Sequence, residues 1–206
     1  MDPRVWVGAP VYRWQHSRAV NSHRQFIAES VASGLLLGIT SPMDQYITLA
    51  RNECCRDALA NDATHLLFLD DDTCPPLGAL SRLLAHKVPV VGGLYFDSEF
   101  KPVAYSSVDK LTPLTREMIE EQRQPEKLPI LQVEAIGMGF TLIETEVLRA
   151  TGDRVWFQTP YVQGTMIGDD VFFCEILRVH KILSYVDVNL VCDHLKTFAV
   201  NDTGIV

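Results

Sequence analysis

The sequence predicts an α/β fold: a mostly parallel central sheet flanked by helices, with a smaller antiparallel extension in the second half of the chain. Three observations predict it. Over residues 1–96, short apolar runs alternate with stretches of helical periodicity, the order expected of parallel βαβ construction. One of those runs, Leu66-Leu67-Phe68-Leu69, is continuous rather than alternating, and so reads as a strand buried on both faces. It passes directly into Asp70, Asp71 and Asp72, and open α/β sheets hold their ligands at the carboxyl ends of their strands.

Taken in order, Val5–Ala9 is a short strand closed by Pro10, and Tyr12–Ser22 reads as a polar loop. Phe26, Ile27, Val31 and Leu35 mark one face of a helix, and a second strand lies around Leu36–Thr40. Ser41-Pro42-Met43-Asp44 has the composition of a helix start: serine can cap, proline suits the first helical position, and the aspartate can reach back. Ile47, Ala50, Cys54 and Ala58 then recur at helical spacing. The buried strand is followed by a helix over Leu77–Ala85 and a strand over Val88–Tyr95, in which Gly92-Gly93 permits close backbone approach. Beyond Phe96 the sequence predicts a strand over Lys101–Val108 and a charged, exposed helix over Thr112–Gln124 ended by Pro125. Next come an apolar β segment over Leu131–Ile143 interrupted by Gly137 and Gly139, and a short helix over Glu144–Ala150. A turn-rich stretch, Thr151–Thr165, precedes a helix over Asp169–His180 and a β-rich segment over Leu183–Cys192.

Length and composition bound the function. A chain of 206 residues with 47% apolar and 21% charged content has the make-up of a single soluble domain. Its net charge of −8 excludes a protein that grips duplex nucleic acid chiefly through the phosphate backbone. Arg13, His16, Arg18, His23 and Arg24 form a local basic cluster that can meet phosphates. No apolar run approaches the length needed to span a bilayer. The start, MDPRVWVGAP, has neither a basic leader nor a long apolar segment, so the expectation is a cytoplasmic protein with no membrane partner. Cys54, Cys55, Cys74, Cys174 and Cys192 include no CxxC pair and lie in apolar contexts, as small core residues of a reducing compartment do.

Four segments carry chemistry. Three adjacent carboxylates at a strand exit repel one another, and a divalent cation relieves that repulsion. In an extended chain Asp70 and Asp72 point to one side and Asp71 to the other, so the outer pair can converge on a ligand. Asp72, furthest past the strand, is the better metal ligand; hard oxygen donors suit magnesium or manganese, with phosphates completing the shell. Cys192-Asp193-His194 ends the last β segment, and an imidazole beside carboxylates favours manganese. Gly168-Asp169-Asp170 opens a helix, where carboxylates serve as caps or, held rigidly, as a base for an acceptor hydroxyl. Asp169 is the expected cap and Asp170 the expected base, with the assignment between them open. Gly137-Met138-Gly139-Phe140 is not a dinucleotide fingerprint; paired glycines in an apolar strand mark a bulge or close approach to a ligand. Arg51-Asn52 lies on the helix before the acidic strand, within reach of a nucleotide.

In this order the residues resemble glycosyltransferases of the GT-A fold, particularly small family-2-like enzymes and related proteins encoded by bacteriophages. The resemblance rests on Ala50-Arg51-Asn52, the Asp70-Asp71-Asp72 form of the DxD motif, Gly92-Gly93-Leu94-Tyr95, Gly137-Met138-Gly139-Phe140, Gly168-Asp169-Asp170 with its aromatic helix, and Asp193-His194. It implies a Rossmann-like GT-A sheet in one domain, with residues about 1–96 holding a nucleoside-diphosphate sugar and about 97–206 forming the acceptor and catalytic half. It further implies that Ala9, Pro10, Arg51, Asp70 and Asp71 line the nucleotide site and that Gly137 and Gly139 border the donor sugar. By the same resemblance Asp72 and His194 hold Mn2+ or Mg2+, and Asp170 or Asp169 acts in catalysis. The acceptor that the resemblance implies is a hydroxyl, on a modified DNA base or a small glycan; if the gene belongs to a phage, the implied site of action is the host cytoplasm. Asp169 stands where that family often has glutamate. A sugar nucleotidyltransferase fits less well, because Gly8-Ala9-Pro10-Val11-Tyr12 lacks a glycine-rich phosphate cradle; a non-catalytic nucleotide- or carbohydrate-binding module is the other alternative.

Overall fold

The computed structural model describes residues 2–11, 15–152, 155–162, 164–196, 200–201 and 204–205. In chain order its strands are β1 (Val5–Gly8), β2 (Leu36–Thr40), β3 (His65–Leu69), β4 (Thr73–Cys74), β5 (Val90–Leu94), β6 (Ala104–Ser107), β7 (Thr112–Pro113) and β8 (Ile130–Val133). They continue as β9 (Ala135–Ile136), β10 (Phe140–Glu144), β11 (Tyr161–Val162), β12 (Thr165–Met166), β13 (Ser184–Val191), β14 (Asp193–His194), β15 (Val200–Asn201) and β16 (Gly204–Ile205). The helices are α1 (Ser17–Ala32), α2 (Ile47–Ala60), α3 (Ala79–Ala85), α4 (Arg116–Gln122), α5 (Thr145–Ala150) and α6 (Asp169–Val179).

A seven-stranded sheet runs in the order β2-β1-β3-β10-β5-β13-β8. The β1/β2, β1/β3 and β5/β13 pairs are parallel, whereas β10 is antiparallel to β3 and β5, and β8 is antiparallel to β13. The sheet is therefore mixed rather than mostly parallel. The apolar segment Leu131–Ile143 is the reason. It folds into β8, β9 and β10, and the last of these inserts against the direction of its neighbours in mid-sheet. The antiparallel extension is the small sheet β7-β6-β9.

Every residue of β3 from Leu66 to Leu69 is buried, and period-two alternation shares them between the two faces. Leu66 and Phe68 pack with α2, α5 and α6 through Cys54, Leu148 and Phe173. Leu67 and Leu69 pack with α1 and α3 through Phe26, Leu80 and Leu83. This helix–sheet–helix layering is broadly Rossmann-like. Gly92 and Gly93 in β5 are required by packing: a Cβ would come within 2.6 Å of Ile136 and Thr141 at the first, and within 2.9 Å of Cys192 Sγ at the second.

Several local expectations change. The polar stretch before Phe26 is helical from Ser17, where the His16 side chain accepts the Arg18 N–H and caps α1. Ser41-Pro42 does not start a helix. The Val11 amide donates to the Pro42 carbonyl and the Asp44 amide to the Val11 carbonyl, holding this segment as a bridge; α2 begins at Ile47. Thr112–Pro113 forms β7, and the following helix starts at Arg116 with Thr115 as cap. Within the turn-rich stretch, Trp156 and Phe157 are buried because Asn52 receives both of their amides on its side-chain oxygen. Among the described residues, no helix is long and apolar enough to cross a membrane.

Candidate functional site

The carboxyl ends of β1, β3 and β13 and the start of α6 meet at one cleft of about 350 Å³. Pro10, Arg51, Asp70, Asp71, Asp72, Asp169, Asp170 and His194 all line it. These residues come from five separate stretches of sequence. Parallel β1 and β3 end side by side, with Gly8 opposite Phe68, which puts Pro10 next to the acidic triplet. The short pair β14–β4, with His194 opposite Thr73, places the last histidine beside Asp72.

The triplet is a turn and not an extended run: the Thr73 amide donates to the Asp70 carbonyl. Asp71 therefore faces the cleft with its neighbours, against the alternating expectation. Asp70 and Asp72 also take different partners. Asp70 receives Arg51 Nη2 at 2.8 and 3.1 Å, whereas Asp72 Oδ2 lies 3.1 Å from His194 Nε2 and 3.0 Å from Lys196 Nζ.

Arg51 lines the cleft and is paired within it: Nη1 donates to Asp169 Oδ2 at 2.7 Å while Nη2 holds Asp70, and the group lies 5.9 Å from the ring centroids of both Phe68 and Phe157, with Nε buried and without a hydrogen-bond partner among the described residues. Burial opposes its charge, but Asp70, Asp169 and Asp170 more than compensate and hold the guanidinium firmly protonated. Asp169 is therefore not the cap. Gly168 occupies the cap position of α6 with no side-chain hydrogen bond, and Asp169 is buried in its ion pair. Asp170 differs. Its Oδ1 accepts the Val171 amide, it lines the cleft, and burial pushes its carboxyl above the ordinary range; Arg51 pulls the other way and Asp169 adds to the rise.

Burial would also raise Asp72, but the contacts from His194 and Lys196 prevail and hold it below the usual carboxylate value. His194 Nδ1 sits 2.7 Å from the Phe96 carbonyl, an acceptor only, so this nitrogen carries the proton. Burial would lower the imidazole, but the contacts of Nε2 with Asp72 Oδ2 at 3.1 Å and of Nδ1 with Phe96 prevail and raise it above its ordinary value. Lys196 Nζ lies 2.6 Å from Nε2. The pair thus already faces a cation, and Asp72 and His194 are the side chains here that could hold a divalent ion. Among the described residues, no group of three His, Cys, Asp or Glu side chains is arranged to hold a metal.

Gly137 and Gly139 do not line the cleft. A Cβ at Gly137 would lie 2.1 Å from the Tyr95 hydroxyl, and the Gly139 amide donates to that hydroxyl at 3.0 Å, so the glycines admit the Tyr95 ring behind the site. The Gly139 carbonyl receives the Asp70 amide, linking that layer to the triplet. Ala9 is also absent from the lining; its amide donates to the Thr40 carbonyl. The basic cluster disperses: His16 caps α1, Arg18 pairs with Asp193, and His23 Nε2 contacts the Thr73 carbonyl at 2.8 Å. Arg13 lies outside the described residues. Lys196 escaped the sequence reading, although His194 and Lys196 two apart in an extended segment share a side.

No family model matches the chain, and no curated protein matches it. Among solved structures, A197 from STIV is similar with a TM-score of 0.59 at 18% identity, covering 98% of this chain and 92% of that one. GalNAc-T7, solved with UDP, GalNAc and Mn2+, is similar with a TM-score of 0.56 at 11% identity, covering 94% of this chain and 44% of that one. The likeness is one of fold. At these identities it assigns no residue a role.

Proposed function

We propose that this protein is a divalent-metal-dependent glycosyltransferase of the GT-A type, transferring a sugar from a nucleoside-diphosphate sugar to an acceptor hydroxyl. The observation that carries the reading is the meeting of Asp72, His194 and Asp170 in one cleft at the carboxyl ends of the strands, in a fold shared with an enzyme solved with UDP, GalNAc and Mn2+. Asp72 and His194 would hold Mn2+ or Mg2+. When bound, the cation supplies Lewis-acid stabilisation of charge on the departing diphosphate. Pro10 and Asp71 line the nucleotide side of the cleft. Arg51 neutralises Asp70 and Asp169, which keeps these two carboxylates from adding to the repulsion of an anionic donor. Asp170 accepts the proton of the acceptor hydroxyl, and its raised pKa suits a base better than an ordinary carboxylate would.

Incubation with a panel of nucleotide sugars and manganese, with release of nucleoside diphosphate as the readout, tests this reading. Donor hydrolysis or transfer is the expected result. Lys196 already supplies a cation to Asp72 and His194, which favours a second reading, a nucleotide- or carbohydrate-binding module without turnover. Saturable binding with no release for any donor would establish that reading instead.

A further inference from the structure

We propose that Lys196 is an internal counter-ion of the cation site, which makes metal and diphosphate bind as a coupled pair and not independently. The inference rests on the reading that Asp72 and His194 hold the metal.

One ammonium stands against both side chains that would hold the metal. His194 Nε2 and Asp72 Oδ2 lie 3.1 Å apart, and Lys196 Nζ lies 2.6 Å from the first and 3.0 Å from the second. Backbone pairing holds the arrangement, because the Leu195 amide donates to the Asp72 carbonyl at 2.8 Å and the β14–β4 pair fixes His194 beside the triplet.

A divalent cation on the same two donors must displace the ammonium, which otherwise repels it at close range. In water alone the displaced ammonium gains little. A diphosphate in the cleft gives it a partner, since the lysine side chain is a flexible stem carrying three donors and meets phosphate as a point charge. Each ligand thus removes an obstacle to the other. Linkage makes the effect reciprocal: the factor by which nucleotide tightens metal equals the factor by which metal tightens nucleotide.

The test is Lys196→Met, which keeps the stem and removes the charge at a side chain that is one-third exposed, so folding is not at risk. Mn2+ binding is followed by the loss of the free-ion electron paramagnetic resonance signal. UDP and GDP binding is followed by protein fluorescence with and without Mn2+. The same substitution is expected to act with opposite signs, tightening Mn2+ alone about tenfold and weakening the nucleoside diphosphates in the presence of Mn2+ about fivefold or more. Lys196→Arg, which keeps the charge, should behave like the parent protein. If Mn2+ alone binds Lys196→Met and the parent equally, while Asp72→Asn abolishes that binding, the counter-ion inference fails and the metal site stands. If Asp72→Asn leaves Mn2+ binding unchanged, the metal site fails and the inference goes with it.

Discussion

Two carboxylate sites, one within β13 and one at the carboxyl end of β3, differ in one respect, saturation. Asp187 on β13 is fully buried, and five donors converge on it. Arg82 Nε at 2.6 Å and His86 Nε2 at 2.8 Å meet Oδ2, while Arg82 Nη2 and the amides of Asn189 and Leu190 meet Oδ1. Burial would raise its carboxyl, but these partners outweigh burial and hold it below the ordinary value. Nothing is left for a ligand to satisfy. In the cleft, Asp72 is about one-third exposed and both of its side-chain partners meet a single oxygen, and Asp170 lines the same opening. The contrast shows how to separate fold from chemistry among buried charges. A carboxylate whose lone pairs are all taken by the protein holds elements together, and one with open capacity beside a cavity is available to react.

Asp170→Asn should show the largest effect on the open side of the contrast. Single-turnover transfer at saturating donor is expected to fall about 10²–10⁴-fold, the usual cost of removing a general base, with nucleotide and metal affinity retained. Near-normal transfer would remove Asp170 from the chemistry. Since Asp169 is tied to Arg51, substrate-assisted proton transfer would then be the next candidate.

Asp187→Asn should give the mirror image. It is expected to cost about 3 kcal/mol in urea unfolding, the lower end of the range for breaking a buried ion pair, because Arg82 retains access to water. Asp170→Asn should not destabilise. The two carboxylates also respond to pH with opposite signs. Asp187 has a depressed folded pKa, so its stabilisation is complete above the unfolded carboxylate value of about 3.9 and disappears as pH falls through the lower folded value. Asp170 has a raised folded pKa. Its ionised form costs stability as pH rises through that value, and the cost is relieved on acidification. Unfolding of both variants across pH 3–7 would check the signs; parallel curves would collapse the distinction drawn here.

Asp72→Asn is expected to weaken manganese-dependent nucleotide affinity by about 10–100-fold or more, since even disturbing a ligand's surroundings has that effect, while the unfolding midpoint moves little. Unchanged metal-dependent affinity in a folded variant would return Asp72 to the structural class of Asp187. His194→Ala should act in the same direction and less strongly, raising the manganese concentration for half-maximal activity. An unaltered titration would make the Phe96 contact its whole role.

What the sequence determined by itself is local. A continuous apolar run ending in three carboxylates places a buried strand and an acidic exit, because burial of Leu66–Leu69 and repulsion among Asp70–Asp72 are properties of adjacent residues. The helix opened by Asp169 and Asp170 is visible for the same reason, as is the alternation of strand and helix through residues 1–96. Tertiary structure alone decided the pairings. Whether Arg51 faces a ligand or bridges Asp70 to Asp169, 118 residues away, depends on how α6 packs against β3. The closure of Lys196 on Asp72, across 124 residues, depends on the β14–β4 pair. The antiparallel entry of β10 and the packing of Gly137 and Gly139 against Tyr95 are likewise invisible to periodicity. Periodicity reports which side of an element is apolar, whereas the partner of each polar group follows from the order in which strands assemble. That order is fixed by contacts between residues far apart in the chain.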